Sequence, residues 1–190
     1  MSALAHTSML WRRVDQPGHD AARLSAGAAG VCLEGSAVFS ESGRACALAY
    51  RVECDAAWRT RAVRITGWCG ADDIALTIAV DAGGRWTVNG VECAAVQGCA
   101  DVDLSFTPAT NMLPIRRLAL DIGAAAEVRA AWLRFPELTL EPLDQRYTRV
   151  AALQYRYEAP GHAFVALLDT NEAGMVRTYQ GLWQAEPRDL

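Results

Sequence analysis

The feature that most constrains this chain is an alternation with a period of two, repeated in segment after segment. In "ALAYRVECD", Tyr50, Val52 and Cys54 alternate with Arg51, Glu53 and Asp55, and in "DIALTIAVD", Ile74, Leu76, Ile78 and Val80 alternate with Ala75, Thr77 and Ala79. Successive side chains of an extended strand point to opposite faces, whereas an amphipathic helix spaces its apolar residues three or four apart. Both segments therefore read as strands, and the small residues of the second allow both of its faces to be covered. Alanine is abundant and favours helix by propensity, but the periodicity decides for sheet.

Turn chemistry agrees. "VDAGGRW" places Asp81, Gly83 and Gly84 in a tight loop, and "TVNGVE" carries Asn89-Gly90, a pair that tolerates the positive φ of a two-residue hairpin. Further strands are expected in "EVRAAWLRF", "LTLEP", "VAALQYRYEA", "AFVALLD" and "MVRTYQGLW", set apart by Pro136, Pro142, Pro160-Gly161 and Gly174. Residues 15–28 read as loop and strand. The one place for a short helix is "PATNMLPIRR", where Thr110 or Asn111 is placed to cap a turn that Pro114 keeps short. The fold class is mainly β.

A length of 190 residues suits one domain spanning 1–190, with no repeat or linker to divide it. The net charge of -4 and the lack of a basic tract exclude a general nucleic-acid binder. All 18 basic residues are arginine, a pattern that fits coding bias as well as oxyanion recognition. The amino end lacks a basic start followed by an apolar core, and no run approaches a membrane span, so an integral membrane protein is not expected and the cytoplasm is the expected compartment. Cys32, Cys46, Cys54, Cys69, Cys93 and Cys99 form no C-x-x-C pair and read as reduced thiols. His6, His19 and His162 have no ligand spacing. No metal, cofactor or catalytic signature stands out.

The densest polar stretch is "DVDLSFTPATNMLPIRRLAL". Asp101 and Asp103 share one face of a strand, and paired carboxylates there suit either acid/base chemistry or plain ion pairing with arginine. Arg116 and Arg117 are adjacent and, on a strand, point to opposite faces; the inward one needs a carboxylate, with Asp101 or Asp103 nearest. Thr107, Thr110 and Asn111 lie between Pro108 and Pro114 in a rigid polar corner that can offer donors to a ligand's head. Arg59 and Arg61 in "WRTRAV" share a strand face and can meet an anionic headgroup or guard an edge. Six tryptophans suit a core or a lipid or sugar pocket.

The stretch from Gly98 and Cys99 through Asp101, Val102, Asp103, Leu104, Thr107, Pro108, Thr110, Asn111, Leu113, Pro114, Ile115, Arg116, Arg117 and Leu118 resembles the signature of a bacterial "putative glycolipid-binding" family, once a domain of unknown function. "YRVECDAAWRTRAV", "GRWTVNG", "FPELTLEPLDQRYTR" and "YQGLW" are similar to its other segments, so the resemblance runs nearly the whole chain. Ala109 departs from it, standing where many relatives have a bulky aromatic. The resemblance implies a spiral β-roll, a many-stranded, mostly antiparallel sheet curling on itself with one short helix, and no catalytic residues.

The leading expectation is a non-enzymatic protein that holds an amphipathic small molecule, such as a glycolipid, in the concave face of the sheet. Arg59, Arg61, Asp101, Asp103, Thr110, Asn111, Arg116 and Arg117 are its expected headgroup contacts. The alternatives are a protein-interaction or dimerisation module and a hydrolase using Asp101 and Asp103. Neither cofactor nor metal is expected, and the oligomeric state is left open by the sequence.

Overall fold

The computed structural model describes residues 7–27 and 30–187, so His6 lies outside the described residues. Fifteen strands make one sheet. The first eight are β1 (Thr7–Arg13), β2 (Gly18–Gly27), β3 (Gly30–Glu41), β4 (Arg44–Cys54), β5 (Thr60–Cys69), β6 (Asp72–Val80), β7 (Trp86–Val88) and β8 (Val91–Glu92). After them come β9 (Asp101–Leu104) and α1 (Met112–Leu118). The chain then forms β10 (Ala125–Arg134), β11 (Thr139–Ala151), β12 (Gln154–Ala159), β13 (Phe164–Thr170), β14 (Val176–Tyr179) and β15 (Trp183–Ala185). In space the order runs from β8 back to β1, then from β15 back to β9, with β15 pairing antiparallel to β1. Only β9 and β10 pair in parallel among the described strands. This is a mainly β protein with an open, curled, mostly antiparallel sheet and, among the described residues, one short α-helix, as expected.

Local chemistry accounts for the turns. Val88 pairs with Val91 around Asn89 (φ 49°) and Gly90 (φ 81°), the two positive-φ positions of a twist-compatible hairpin. Asp81 holds the preceding loop, its Oδ1 accepting from the amides of Gly83 and Arg85 at 2.9 and 3.0 Å. Pro142 does not end a strand, contrary to expectation. It sits inside β11 opposite Ala131 of β10, and β12 joins β11 only from Arg146 onward. On that open side no ladder hydrogen bond is lost to the missing N–H.

The core lies on one face. Trp11, Leu24, Leu33, Leu48, Val52, Val63, Ile65 and Ile78 from the first half meet Leu133, Tyr147, Leu168 and Val176 from the second. The segment 101–118 fills the space between them: Val102, Leu104, Phe106, Met112 and Leu113 are buried. Phe106 packs against Phe39, Tyr50 and Phe135, with centroids 6.2, 5.8 and 5.9 Å away. Buried indoles find acceptors, Trp11 Nε1 donating to Val176 O at 2.5 Å and Trp86 Nε1 to Cys99 O at 3.2 Å. The inner, concave face is therefore occupied by the protein's own chain.

Cys46 and Cys69 stand directly opposite each other in β4 and β5, with Cα atoms 4.1 Å apart, joined as a disulfide. This corrects the expectation of six reduced thiols, because register brings together two cysteines that sequence spacing keeps 23 residues apart. Cys32, Cys54, Cys93 and Cys99 are free. Burial pushes the Cys54 thiol up to about 12 and that of Cys99 to about 11.

Candidate functional site

The polar corner is built around β9 and α1. The two aspartates share a face of β9, but each has its own partner. Asp101 accepts from Arg117, with Nη2 to Oδ2 at 2.5 Å and Nε to Oδ1 at 3.0 Å. Asp103 accepts from Gln145 Nε2 at 2.6 Å, and burial pushes its carboxyl up to about 6. Tyr147, Tyr157 and Tyr179 surround it closely enough that burial first, and then neighbouring groups including Asp103, raise their phenols well above the usual range.

Arg116 and Arg117 lie on α1, not on a strand, so they diverge by about 100° rather than 180°. Arg117 is the inward member. Arg116 lies over the Trp58 ring, its guanidinium carbon 5.2 Å from the centroid. Neither expected cap serves the helix. Thr110 Oγ1 accepts from the Leu104 amide at 3.2 Å and Asn111 Nδ2 donates to the Tyr147 hydroxyl at 3.1 Å, so both are spent on tying α1 to the sheet. Ala109 is fully buried.

Arg59 and Arg61 do not share a strand face. Arg59 is exposed in the turn before β5, and Arg61 inside β5 donates to Asp55 Oδ2 at 2.6 and 3.0 Å. Nor is β5 an edge, since β4 and β6 flank it. The turn still touches the corner, because Thr60 Oγ1 accepts from the Val102 amide at 3.0 Å and the Thr60 amide donates to Ala100 O at 2.9 Å.

A second buried polar group escaped the sequence reading. Asp20 of β2 is fully buried; its Oδ2 accepts from Thr107 Oγ1 at 2.5 Å and from the Tyr50 hydroxyl at 2.9 Å, while its Oδ1 has no partner among the described residues. Burial pushes its carboxyl up to about 7 against the opposing pull of Thr107 and Tyr50. Gly35 makes the arrangement fit, for a Cβ there would collide with the Tyr50 hydroxyl. The signal was present: Asp20 shares its alternation with Ala22 and Leu24, at a position whose neighbours face the core.

The open volume lies on the other face of the sheet. A groove of about 1730 Å³ runs across β1 to β5 and is walled by the β11–β12 turn and by residues from β13 to β15 and beyond to Pro187. None of the eight residues expected to contact a ligand lines it. Strand register makes its floor two parallel rows. One row is small and mostly apolar: Leu10, Ala21, Ser36, Ala49 and Thr66. The other is polar: Ser8, Arg23, Glu34, Arg51 and Arg64. Strands about 4.8 Å apart make each row roughly 19 Å long. Leu10 and Leu153 bring exposed apolar surface, 47% and 43%.

Glu34 bridges two arginines of the polar row, accepting from Arg23 Nε at 2.5 Å and from Arg51 Nη1 at 2.8 Å, and these partners, Arg23 first, hold its carboxyl below the usual range. Four arginines line the groove against Glu34, Asp169 and Glu186. Among the described residues no three His, Cys, Asp or Glu side chains are placed to hold a metal ion, and no helix is long and apolar enough to cross a membrane.

The family model described as "Putative glycolipid-binding" matches residues 8–185. A solved structure of a DUF1089 family protein from Pseudomonas aeruginosa is 32% identical, with a TM-score of 0.72, and the match covers 96% of this chain and 93% of that one. No curated protein matches the chain.

Proposed function

Because this chain belongs to the family described as "Putative glycolipid-binding", we propose that it binds an amphipathic small molecule along the outer-face groove. The observation that carries this reading is the pair of rows on the groove floor, a small apolar strip beside a charged one, each crossing five strands. An amphiphile needs that division: apolar surface removed from water contributes about 25 cal/mol per Å², while polar groups fix orientation. In this reading the acyl or otherwise apolar part lies along Leu10, Ala21 and Ala49, with the head over Arg23, Arg51 and Arg64. The polar corner acts from the inner side, where Asp101, Thr110, Asn111 and Arg117 hold the roll in the shape that gives the groove its floor.

Native mass spectrometry after incubation with a total bacterial lipid extract tests this. The expected result is a discrete adduct on the wild type, reduced in Ala49→Phe, whose ring fills the floor from an exposed position. An apo mass under all loading conditions would remove the proposal.

A further inference from the structure

Deepening that reading and resting on it, we infer that the groove holds an oxyanion between Arg51 and Arg64, so that its ligand is an acidic amphiphile bearing phosphate, sulfate or carboxylate. Arg51 of β4 and Arg64 of β5 are directly opposed across neighbouring strands. Like charges in that position destabilise a sheet unless something neutralises them. Arg51 has Glu34 and Glu53, the latter accepting from its Nε at 2.9 Å. Arg64 is exposed and makes no ion pair among the described residues, and neither does Arg177 on the far side of the groove.

The result is a locally cationic patch on a chain whose net charge is -4. Glu34 locks the Arg51 guanidinium in place, so little side-chain freedom is lost when an anion arrives. Guanidinium forks suit the planar or tetrahedral oxygens of such a head. The small residues of the adjacent row leave room beside it for an apolar tail, which separates this ligand from a free anion.

The test is calorimetric titration of the full chain with decyl phosphate, decyl maltoside and inorganic phosphate, each below its micellar range, on wild type and Arg64→Gln. Among the described residues Arg64 has no ion-pair partner to lose, and Arg177→Gln serves as a second variant of the same kind. The expected result is that decyl phosphate binds more tightly than either control, weakens with added salt, and loses roughly tenfold in Arg64→Gln, the equivalent of about 1.4 kcal/mol. Decyl maltoside, whose head is uncharged, is expected to lose less affinity than decyl phosphate in the same variant. Equal binding of the two decyl compounds, both indifferent to Arg64→Gln, overturns the acidic head while leaving the groove's amphiphile binding intact. Inorganic phosphate binding as tightly as decyl phosphate overturns the amphiphile and leaves only an anion site. No binding of either decyl compound overturns the inference together with the proposed function.

Discussion

Asp20 should make the folded protein more stable in mild acid than at neutral pH. Its carboxyl rises from 3.8 to about 7 on folding because burial removes it from water, which outweighs its hydrogen bonds. Between those values the folded state binds a proton that the unfolded state has released, so stability falls as pH rises through the window and levels off above about 7. At about 1.4 kcal/mol per pH unit, integration from pH 5 to 8 gives a loss of about 2.5 kcal/mol from Asp20. Asp103, raised to about 6 by burial, adds about 1.4 kcal/mol in the same direction. Glu34, Asp55 and Asp81 are shifted down and exert their opposite dependence below this window. Urea unfolding followed by tryptophan fluorescence at pH 5, 6, 7 and 8 should therefore show a total decline of about 4 kcal/mol. In Asp20→Asn the decline should shrink to about 1.4 kcal/mol. The variant's absolute stability is less informative, since its amide nitrogen inherits the unpartnered position of Oδ1. A wild type equally stable at pH 5 and 8, or an Asn variant with the full slope, would refute the reasoning.

Other perturbations have distinct readouts. Arg117→Ala leaves the buried Asp101 carboxylate without its partner and should lower unfolding free energy by about 3 kcal/mol in denaturant titration, without altering ligand affinity. Gly35→Ala drives a methyl into the Tyr50 hydroxyl and should lower stability by about 1 to 3 kcal/mol, measured the same way. Ala49→Phe should leave the thermal midpoint within a few degrees of wild type yet reduce amphiphile binding, because its side chain adds bulk to an exposed row and none to the core.

Much of the fold was legible because its signals are local. Alternation marked most strands, Asn89-Gly90 marked a hairpin, and the proline-bounded "PATNMLPIRR" marked the helix. Pro142 misled because its effect depends on whether a neighbour pairs at that point, which is not a local property. The Asp101–Arg117 pair was within reach of the sequence, which left it as one of two partners for whichever arginine faced inward. That Arg116 and Arg117 stand on a helix changed which directions they share. The groove was not legible at all. Small and charged residues at solvent-facing positions occur on any hydrated strand, and only register shows that Ala21, Ser36 and Ala49 align or that Arg51 faces Arg64. The Cys46–Cys69 pair was hidden for the same reason.

The most direct test of the central claim is a map of where an amphiphile lands. Backbone amide chemical shifts recorded during titration with decyl phosphate should move at Ala21, Ser36, Ala49, Arg51, Arg64 and Thr66, on the outer face of β2 to β5. Shifts concentrated instead at Arg59 and along Asp101 to Arg117, with the outer rows unmoved, would contradict the groove and return the ligand to the polar corner.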